Sequence, residues 1–333
     1  MKSLIAFGNG KIDIIESEIP TLESDEVLVA PIITGVCGTD LEIIKGKIDP
    51  AFVSYPIVIG HEWCGRVVRS ESSTNGLKVG DRVVAEGIIP CGHCFECLKG
   101  DTNRCTTYSE IGFTLPGAAS ELIKVPGFLI HKIEDFVSNE SAALVEPTAV
   151  VTQGILKASP KPGAKVLIIG DGTIALIAAR LVRNWNPSAV HMLGLKSGQA
   201  VLSSLAGVDR FFTDTPQERY DLIIEAAGSS SRITESVQLL VRGGKLLLLG
   251  FTGPEAKTLI SIDDLVNGDL SIVASFGYSR SAWRETVSLL NSGALDLTFL
   301  VTHRFPLEEF NQAISALESG AAPRGKIVFE IAN

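Results

Sequence analysis

The stretch "KVLIIGDGTIALIAARLVRN" (Lys165–Asn184) decides the fold of the middle of the chain. It opens with a continuous apolar run of the length of a buried strand and closes with a helical spacing of apolar residues. A Gly-Asp-Gly turn stands between the two. Outward along the chain, "AVHMLGL", "YDLIIEAAG", "ITESVQLLVRGG" and "KLLLLGF" continue the alternation of strand and helix. The alternation predicts an α/β domain with a doubly wound parallel sheet built from βαβ units.

The flanking segments have a different character. Up to about residue 146, stretches such as "DEVLVAPIITGV", "GRVVRS" and "GDRVVAE" are rich in β-formers and are punctuated by Gly and Pro. From about residue 276, two helix-like stretches, "SAWRETVSLLNSG" and "LEEFNQAISALESG", precede a final strand, "GKIVFEI". We therefore predict an antiparallel β domain over 1–146, a doubly wound domain over 147–275, and a tail over 276–333. The pattern does not reveal where the tail docks.

Composition limits the classes of protein to be considered. With 333 residues, 45% of them hydrophobic and 20% charged, the chain can build two cores and is not of disordered composition. A net charge of −9 argues against a general nucleic-acid binder. The N-terminus lacks an apolar signal-peptide core, and no apolar run reaches the roughly eighteen residues of a membrane span. The composition predicts a soluble, cytoplasmic protein without a targeting signal.

The turn within the opening stretch reads G-x-G-x-x-A. Gly170 would make the tight turn, Gly172 would let the backbone approach a pyrophosphate, and Ala175 would let helix and strand pack closely. The pyrophosphate would rest on the helix N-terminus, where Thr173 and Ile174 stand, because the N–H groups there favour anions. We predict a dinucleotide site. The alternative is a Gly-rich turn in a ligand-free α/β domain.

The second strand of the domain bears on which dinucleotide is bound. NAD-binding proteins usually place an acid at the end of that strand, where it accepts from the ribose hydroxyls. No Asp or Glu occurs from Gly172 through Val208. The expected place falls near Gly194, and Lys196 and Ser197, which follow it, could attract a 2′-phosphate. We predict NADP, with NAD as the alternative if Lys196 is only a solvated surface lysine.

Four of the six cysteines lie in one short stretch, "CGHCFECLKGDTNRC", with the spacing C-x2-C-x2-C-x7-C. Clustered thiols in a reducing compartment more often bind a metal than form disulfides. Cys91, Cys94, Cys97 and Cys105 form a closed thiolate set that is typical of structural zinc. An iron–sulfur cluster would have a different final spacing followed by Pro, and a redox pair would need only two cysteines. His93 lies within the loop but is not needed as a ligand.

Three further stretches carry groups suited to a catalytic zinc, "GVCGTD", "GHEWCG" and "LVEPTAV". Such a site needs about three protein ligands and an open position. Sequence spacing alone does not bring the first two stretches together, since ligands this far apart converge only through the fold. The candidate ligands are Cys37, His61, Glu62 and Glu146.

With these motifs the sequence resembles zinc-dependent medium-chain dehydrogenase/reductases, in the branch of sorbitol, threonine and related polyol dehydrogenases. The resemblance runs nearly end to end and also includes "VGDRV", "VLIIGDGTIA", "VRGGKLLLLG" and "GKIVFEI". It implies a GroES-like, mostly antiparallel catalytic domain, a Rossmann domain, and a C-terminal segment that returns to the catalytic domain. It also implies two zinc ions per chain, the structural one in a lobe at about 90–106. The catalytic one would be bound by Cys37, His61 and Glu62, with Glu146 as ligand or as partner of its water.

The resemblance also implies the chemistry. Zinc acidifies a bound alcohol, and hydride then passes from carbon to the nicotinamide. Thr39 matches the hydroxyl that takes the proton, and Asp40 is a candidate for orienting His61. The implied substrate is a secondary alcohol of the polyol, sugar-alcohol or amino-alcohol type, interconverted with its ketone or aldehyde in either direction. Homodimers or homotetramers are implied as well.

Two features of the sequence qualify the resemblance. Many relatives have a histidine that passes the proton to solvent where this chain has Glu42, so the relay could run through this carboxylate, through water, or not exist. Cys64, next to the second catalytic stretch, is expected to be a buried structural thiol. A nicotinamide-binding protein without catalysis, acting as a sensor or structural partner, is the alternative of another class. The complete set of candidate ligands argues against it.

Overall fold

The computed structural model describes residues 1–72, 76–253 and 255–331. Its strands are β1 (Lys2–Ala6), β2 (Ile12–Glu16), β3 (Glu26–Val36), β4 (Ile57–Val58), β5 (Trp63–Ser70), β6 (Arg82–Ala85), β7 (Ile88–Ile89), β8 (Ser109–Glu110), β9 (Ile123–Pro126), β10 (Ile130–Lys132), β11 (Lys165–Ile169), β12 (Ala189–Leu193), β13 (Arg210–Phe212), β14 (Tyr220–Glu225), β15 (Leu240–Leu248), β16 (Ser271–Ala274), β17 (Val301–Pro306) and β18 (Lys326–Glu330).

The helices are α1 (Gly38–Ile44), α2 (Phe95–Lys99), α3 (Asn139–Ala143), α4 (Val145–Ala158), α5 (Thr173–Val182), α6 (Ala200–Leu205), α7 (Ser230–Leu239), α8 (Ile262–Gly268), α9 (Arg280–Asn291) and α10 (Phe310–Ser319). Within the described ranges, none of these helices is long and apolar enough to cross a membrane. The chain divides into two compact units. The first contains residues 1–146, 279–321 and those from 326 on, and the second contains 147–278 and 322–325.

The first unit is built on a seven-stranded sheet in the order β10-β6-β5-β3-β18-β17, with β9 also paired to β3. All of its pairings are antiparallel except β17 with β18. The long strand β3 is apolar and almost fully buried, which explains its central position between β5 and β18. A small antiparallel sheet β2-β1-β4 and the β7-β8 pair complete the unit. The predicted mostly antiparallel β architecture is confirmed.

The second unit contains a six-stranded, all-parallel sheet in the order β13-β12-β11-β14-β15-β16. The apolar runs of the central strands β11, β12 and β14 are buried, as expected for parallel strands covered on both faces, whereas β16 at the edge is mostly exposed. The strand order reverses between β11 and β14, and ligands of such sheets bind at the carboxyl ends beside this point. The predicted doubly wound sheet is confirmed, and the Gly-Asp-Gly turn follows β11 at this position.

The C-terminal tail contributes to both units. Strands β17 and β18 belong to the seven-stranded sheet of the first unit, where β18 pairs with β3. Ala322–Gly325, the four residues before β18, belong to the second unit. The sequence pattern did not indicate that these four residues belong to the second unit. They lie next to the nucleotide turn described below.

Candidate metal centres and nucleotide site

The four-cysteine lobe brings its sulfur atoms together. The Sγ atoms of Cys91, Cys94, Cys97 and Cys105 all lie within 4.8 Å of one another. Cys91 Sγ is 3.8 Å from Cys97 Sγ, and Cys94 Sγ is 3.4 Å from Cys97 Sγ. Sulfur atoms at the corners of a tetrahedral zinc site with bonds of about 2.3 Å stand about 3.8 Å apart. The sulfur set therefore fits a zinc ion.

Local backbone geometry prepares this lobe for charge. The backbone N–H groups of His93 and Cys94 point at the sulfur of Cys91 and hold the pKa of that thiol near 5. Burial raises the pKa of Cys97 to about 12, and the neighbouring Cys94 thiol adds to the rise. A backbone hydrogen bond from Cys97 also lowers the pKa of Cys94. The lobe thus favours thiolates at Cys91 and Cys94 by itself, whereas a bound divalent cation would deprotonate every coordinating thiol.

The second cluster lies where three strands of the first unit meet. Cys37 directly follows the last residue of β3, and the antiparallel register that pairs Thr34 with Trp63 of β5 brings His61 alongside it. Cys37 Sγ lies 3.2 Å from His61 Nε2. One ligand atom from each of Cys37, His61 and Glu62 lies within 4.8 Å of the others. The fold thus assembles the pairing that sequence spacing alone could not establish.

Asp40 connects two of these residues. It lies on the first turn of α1, the helix that begins directly after Cys37, and only about 1% of its surface is exposed. Its Oδ2 accepts the backbone N–H of Cys37 at 2.9 Å, and its Oδ1 faces His61 Nδ1 at 3.6 Å. In the described part of the chain these facing atoms, Asp40 Oδ1 and His61 Nδ1, have no hydrogen-bond partner. A carboxylate behind a metal-binding imidazole fixes the ring and the tautomer, so this arrangement suits a metal on Nε2.

Lys326 is a buried cation in the cluster that sequence reasoning missed. It begins β18 and forms an ion pair with Glu62, and both side chains are almost completely buried. Burial acts to lower the pKa of Lys326, but the charges of Glu62 and Cys37 outweigh it, so this pKa stands above its ordinary value. A Cβ on Gly35 would lie 2.4 Å from Glu62 Oε2 and 2.8 Å from Lys326 Cε. Glycine at position 35 therefore leaves the space that the ion pair occupies.

Two further carboxyl groups surround the cluster. Glu146, in the first turn of α4, has its pKa raised to about 8 mainly by burial, with the charges of Glu62 and Glu110 adding to the rise against His61. Burial also raises the pKa of Glu110 to about 7, against the charge of His61. Burial lowers the pKa of His61, but the charges of Cys37 and Asp40 outweigh it and hold that pKa well above its ordinary value. Burial thus favours the neutral forms of the Glu110 and Glu146 carboxyl groups, whereas His61 is held in its charged form.

Glu110 reaches the cluster through a loop that the sequence analysis did not single out. The loop packs on the strand that leads to His61: Gly117 N–H donates to Val58 O at 2.7 Å, and the ring of Phe113 lies 5.2 Å from that of His61. An acid followed by a Gly-containing loop carries no metal or catalytic signature. Only the fold shows that Glu110 lies near enough to His61 for the imidazole charge to affect its pKa.

The remaining predicted residues of the first unit differ in exposure. Thr39 is half-buried on the first turn of α1, next to Cys37 and Asp40, whereas Glu42 on the same helix is exposed. Glu146 is near enough to affect the pKa of His61 but is not among the three residues whose ligand atoms cluster. Cys64 is fully buried and its thiol donates to Asn139 O at 3.3 Å, with a pKa raised to about 12 by burial.

The nucleotide turn of the second unit has the form that a dinucleotide requires. Gly170 follows β11 with φ of 116°, a conformation that favours glycine. A Cβ on Gly172 would meet nothing within 4 Å, so the backbone there is open to a ligand. Gly172 is the N-cap of α5, and no side chain in the described part of the chain caps it. Thr173 and Ile174 open the helix, whose N-terminus is thus suited to a phosphate.

The turn after β12 contains the three residues predicted to choose between NAD and NADP. Gly194 is buried, and Lys196 and Ser197 are exposed. Sequence reasoning missed their neighbour Asp171, the middle residue of the Gly-Asp-Gly turn. Its Oδ2 accepts the backbone N–H groups of Leu195 at 2.8 Å and Lys196 at 3.2 Å. An acid is therefore present at this corner, although it is not carried by the second strand.

Comparison with known proteins decides the family. Residues 23–135 match the model of the alcohol dehydrogenase GroES-like domain, and residues 199–329 match that of the zinc-binding dehydrogenases. L-threonine 3-dehydrogenase of Aeromonas hydrophila is 31% identical over 93% of this chain and 93% of its own length. D-arabinitol dehydrogenase 1 of Uromyces fabae is 29% identical over 92% and 90%. The chain belongs to the zinc-dependent medium-chain dehydrogenase/reductase family. It is thus an enzyme, an oxidoreductase of the zinc-dependent alcohol and polyol dehydrogenases.

Solved structures agree with this family fold. A zinc-binding dehydrogenase from Sinorhizobium meliloti bound to NADP superposes with a TM-score of 0.92 at 25% identity, covering 100% of this chain and 99% of that one. An alcohol dehydrogenase from Escherichia coli with NADH gives 0.92 at 27% identity, covering 99% of each chain. Galactitol-1-phosphate dehydrogenase from E. coli gives 0.89 at 28%, covering 99% and 100%. The dehydrogenase therefore has the GroES-like and Rossmann-type architecture.

Proposed function

We propose that this dehydrogenase transfers hydride between a secondary alcohol of the polyol, sugar-alcohol or amino-alcohol type and NADP, interconverting the alcohol with a ketone or aldehyde. The observation that carries the proposal is the buried set of Cys37, His61 and Glu62. Thiolate, imidazole and carboxylate are the ligand types of catalytic zinc. Three protein ligands leave a fourth position for the substrate oxygen.

The residues around this set have separate tasks in the proposal. Bound zinc supplies Lewis acidity, which lowers the pKa of an alcohol placed on it. The hydroxyl of Thr39, on the helical turn that follows Cys37, would accept the alcohol proton while its own proton passes to water or to Glu42. Asp40 holds His61 in the tautomer that leaves Nε2 for the metal. Lys326 holds Glu62, and Glu146 contributes as a ligand or as partner of a water molecule. The four cysteines of the lobe hold a second, structural zinc.

Two carboxyl groups near the site support the class of substrate. Glu110 and Glu146 can exchange hydrogen bonds with hydroxyl groups, and an ammonium group would favour their ionised forms. A polyol offers several hydroxyls and an amino alcohol offers an ammonium group. Two relatives bear the names of enzymes for such substrates, arabinitol and L-threonine. A simple apolar alcohol would leave both carboxyl groups without a partner.

The cofactor preference rests on the turn after β12. Gly194 in place of an acid removes repulsion against a 2′-phosphate, and Lys196 and Ser197 can attract one. Related structures contain NADP in one case and NADH in another, so kinship alone supports both cofactors. We propose NADP and keep NAD as the alternative. A 2′-phosphate preference that survives replacement of both Lys196 and Ser197 by Ala would remove these two residues from the assignment.

The first test is the zinc content of the purified, dialysed protein, measured by mass spectrometry. Two zinc ions per chain are expected, and a screen of polyols, amino alcohols and simple secondary alcohols with NADP and NAD follows. One zinc ion would favour the cysteine lobe alone. Together with the absence of turnover, that result would favour a nicotinamide-binding sensor or structural protein over the enzyme.

Three wider expectations remain proposals. Residues 1–146 together with 276–333 form the catalytic domain, and 147–275 form the dinucleotide domain. The protein acts in the cytoplasm. It assembles into dimers or tetramers through the edge strand β16, which has an exposed apolar residue, Ile272, and lies at the end of its sheet next to β15. Light scattering after size-exclusion chromatography tests the assembly, and a monomer at micromolar concentration would contradict it.

A further inference from the structure

One carboxylate joins the turn after β12 to the nucleotide turn through hydrogen bonds. Asp171 Oδ2 accepts two consecutive backbone N–H groups, from Leu195 at 2.8 Å and Lys196 at 3.2 Å. Hydrogen bonds to an ionised acceptor are roughly twice as strong as neutral ones. Asp171 therefore fixes the distance between the turn that takes the pyrophosphate and the turn that meets the adenosine ribose.

The same side chain fills the space beside Gly194. A Cβ added at Gly194 would lie 2.7 Å from Asp171 Oδ2, 2.8 Å from Asp171 Cβ and 2.6 Å from Phe211 Cζ. The carboxylate is held by its two hydrogen bonds, and the Cβ of Asp171 cannot move away without its backbone. The φ of Gly194 lies outside the left-handed region, so glycine is needed there for space. An acid at position 194, the residue type that NAD sites use, is thus excluded sterically.

Gln199 holds this corner from the other side. Its Nε2 donates to Asp171 O at 2.6 Å and to Arg324 O at 2.9 Å, while its Oε1 accepts the backbone N–H of Arg324 at 2.7 Å. Thr173 Oγ1 also donates to Gly325 O at 3.3 Å. The segment Ala322–Gly325 thus lies against both turns and brings a second basic residue, Arg324, to the corner that contains Lys196.

We propose that Asp171 is the positioning residue that sets the cofactor preference. It excludes an acid from position 194, and it holds the turn so that Lys196 and Ser197 meet a 2′-phosphate. This inference rests on the NADP preference proposed above and deepens it. The carboxylate of Asp171 is already hydrogen-bonded to two N–H groups, so we assign it a role in positioning the turn and not in binding the cofactor. An amide oxygen in the same place can accept both hydrogen bonds.

The test compares the dissociation constants of NADP⁺ and NAD⁺, measured by calorimetry on the zinc-loaded protein. Asp171→Ala lowers the ratio of Kd for NAD⁺ to Kd for NADP⁺ about tenfold, since the turn loses both acceptors. Asp171→Asn keeps the wild-type ratio, because its amide oxygen can accept the same two hydrogen bonds. The matched control is Asp221→Asn, whose carboxylate accepts the Lys165 N–H at 2.8 Å at the amino end of the same sheet. It leaves the ratio unchanged.

A second pair of variants tests the steric part. Gly194→Asp alone weakens both cofactors and lowers the melting temperature. The double variant Asp171→Gly/Gly194→Asp removes the Asp171 Cβ and carboxylate that crowd position 194, and a shift of the Phe211 ring makes the remaining room. It folds and binds NAD⁺ more tightly than NADP⁺.

Two outcomes overturn the proposal: an unchanged ratio in Asp171→Ala, or a switch to NAD⁺ by Gly194→Asp alone at wild-type stability. A wild-type protein that prefers NAD⁺ contradicts the proposed function instead. The role of Asp171 is still read from the change between its variants.

Discussion

The two metal clusters of the first unit are assembled in opposite ways. The four cysteines come from one stretch of fifteen residues, Cys91–Cys105, so their convergence is local in sequence. Cys37, His61 and Glu62 come from two strand ends, with Lys326 from a third strand. The lobe is partly exposed, whereas His61, Glu62 and Lys326 are buried. The first cluster is formed within one loop, and the second is assembled by strands of the sheet.

This difference separates structure from chemistry. A closed set of four thiolates satisfies a metal completely and leaves no position for a substrate. The three-residue cluster leaves a position open and is surrounded by Asp40, Glu110 and Glu146. These acids can orient a ligand, accept from a substrate or move a proton. Perturbing the first cluster should change stability, and perturbing the second should change turnover.

The sharpest way to break this comparison is to remove a ligand of the second cluster. Cys37→Ser and His61→Ala are each expected to lower kcat by about 10³-fold or more, since the metal supplies several kcal/mol of transition-state stabilisation. NADP⁺ binding, measured by calorimetry, should stay close to wild type because the nucleotide turn lies in the other unit. Full activity in either variant would remove the metal mechanism.

The converse experiment removes a ligand of the lobe. Cys94→Ser should lower the zinc content from two to one and cost more than about 4 kcal/mol of unfolding free energy, because binding of a structural metal contributes to folding. The kcat of the fraction that remains folded should change little. Cys64→Ala, a buried thiol outside both clusters, is the control and should keep two zinc ions. Loss of turnover at unchanged stability would show that the lobe takes part in chemistry.

Removal of the buried cation sharpens the comparison further. Lys326→Met leaves Glu62 buried without its partner and should cost about 3–5 kcal/mol of unfolding free energy in the metal-free protein. Zinc should recover part of this loss, so the metal-induced rise in melting temperature should exceed that of wild type. Lys45→Met is the control: its ion pair with Glu318 leaves both side chains 45% exposed and is worth at most about 1 kcal/mol. Equal denaturation midpoints for the two variants would contradict the role of Lys326.

The cysteine lobe could be predicted from the sequence because its four cysteines lie close together in the chain. The parallel sheet could also be predicted, because its apolar segments alternate between the lengths of strands and helices. The second cluster depends on the register that pairs Thr34 with Trp63 and Val328 with Gly35, which no spacing reveals. Lys326 opens an apolar strand in "GKIVFEI", and a lone lysine there carries no metal signature. The stretch "ITESVQLLVRGG" was too long for a helix: α7 ends at Leu239, and β15 begins at Leu240. Its "LLV" run is compatible with a helix or a strand, and only its pairing with β14 shows that this part of the chain is a strand.

The smallest expected effects contrast two acids on the same helix, α1. Asp40 is buried against both Cys37 and His61, so Asp40→Asn should weaken zinc about 10–100-fold in chelator competition, as loss of an orienting partner does. Glu42 is exposed, and Glu42→Gln should leave kcat within about twofold across pH. If Glu42 relays the proton, Glu42→Gln should instead lower kcat about 100-fold, the usual contribution of a positioned acid or base. A loss of that size, with zinc affinity unchanged, would assign to Glu42 the task that a histidine performs in many relatives. Wild-type rates would leave a route through water or no relay at all.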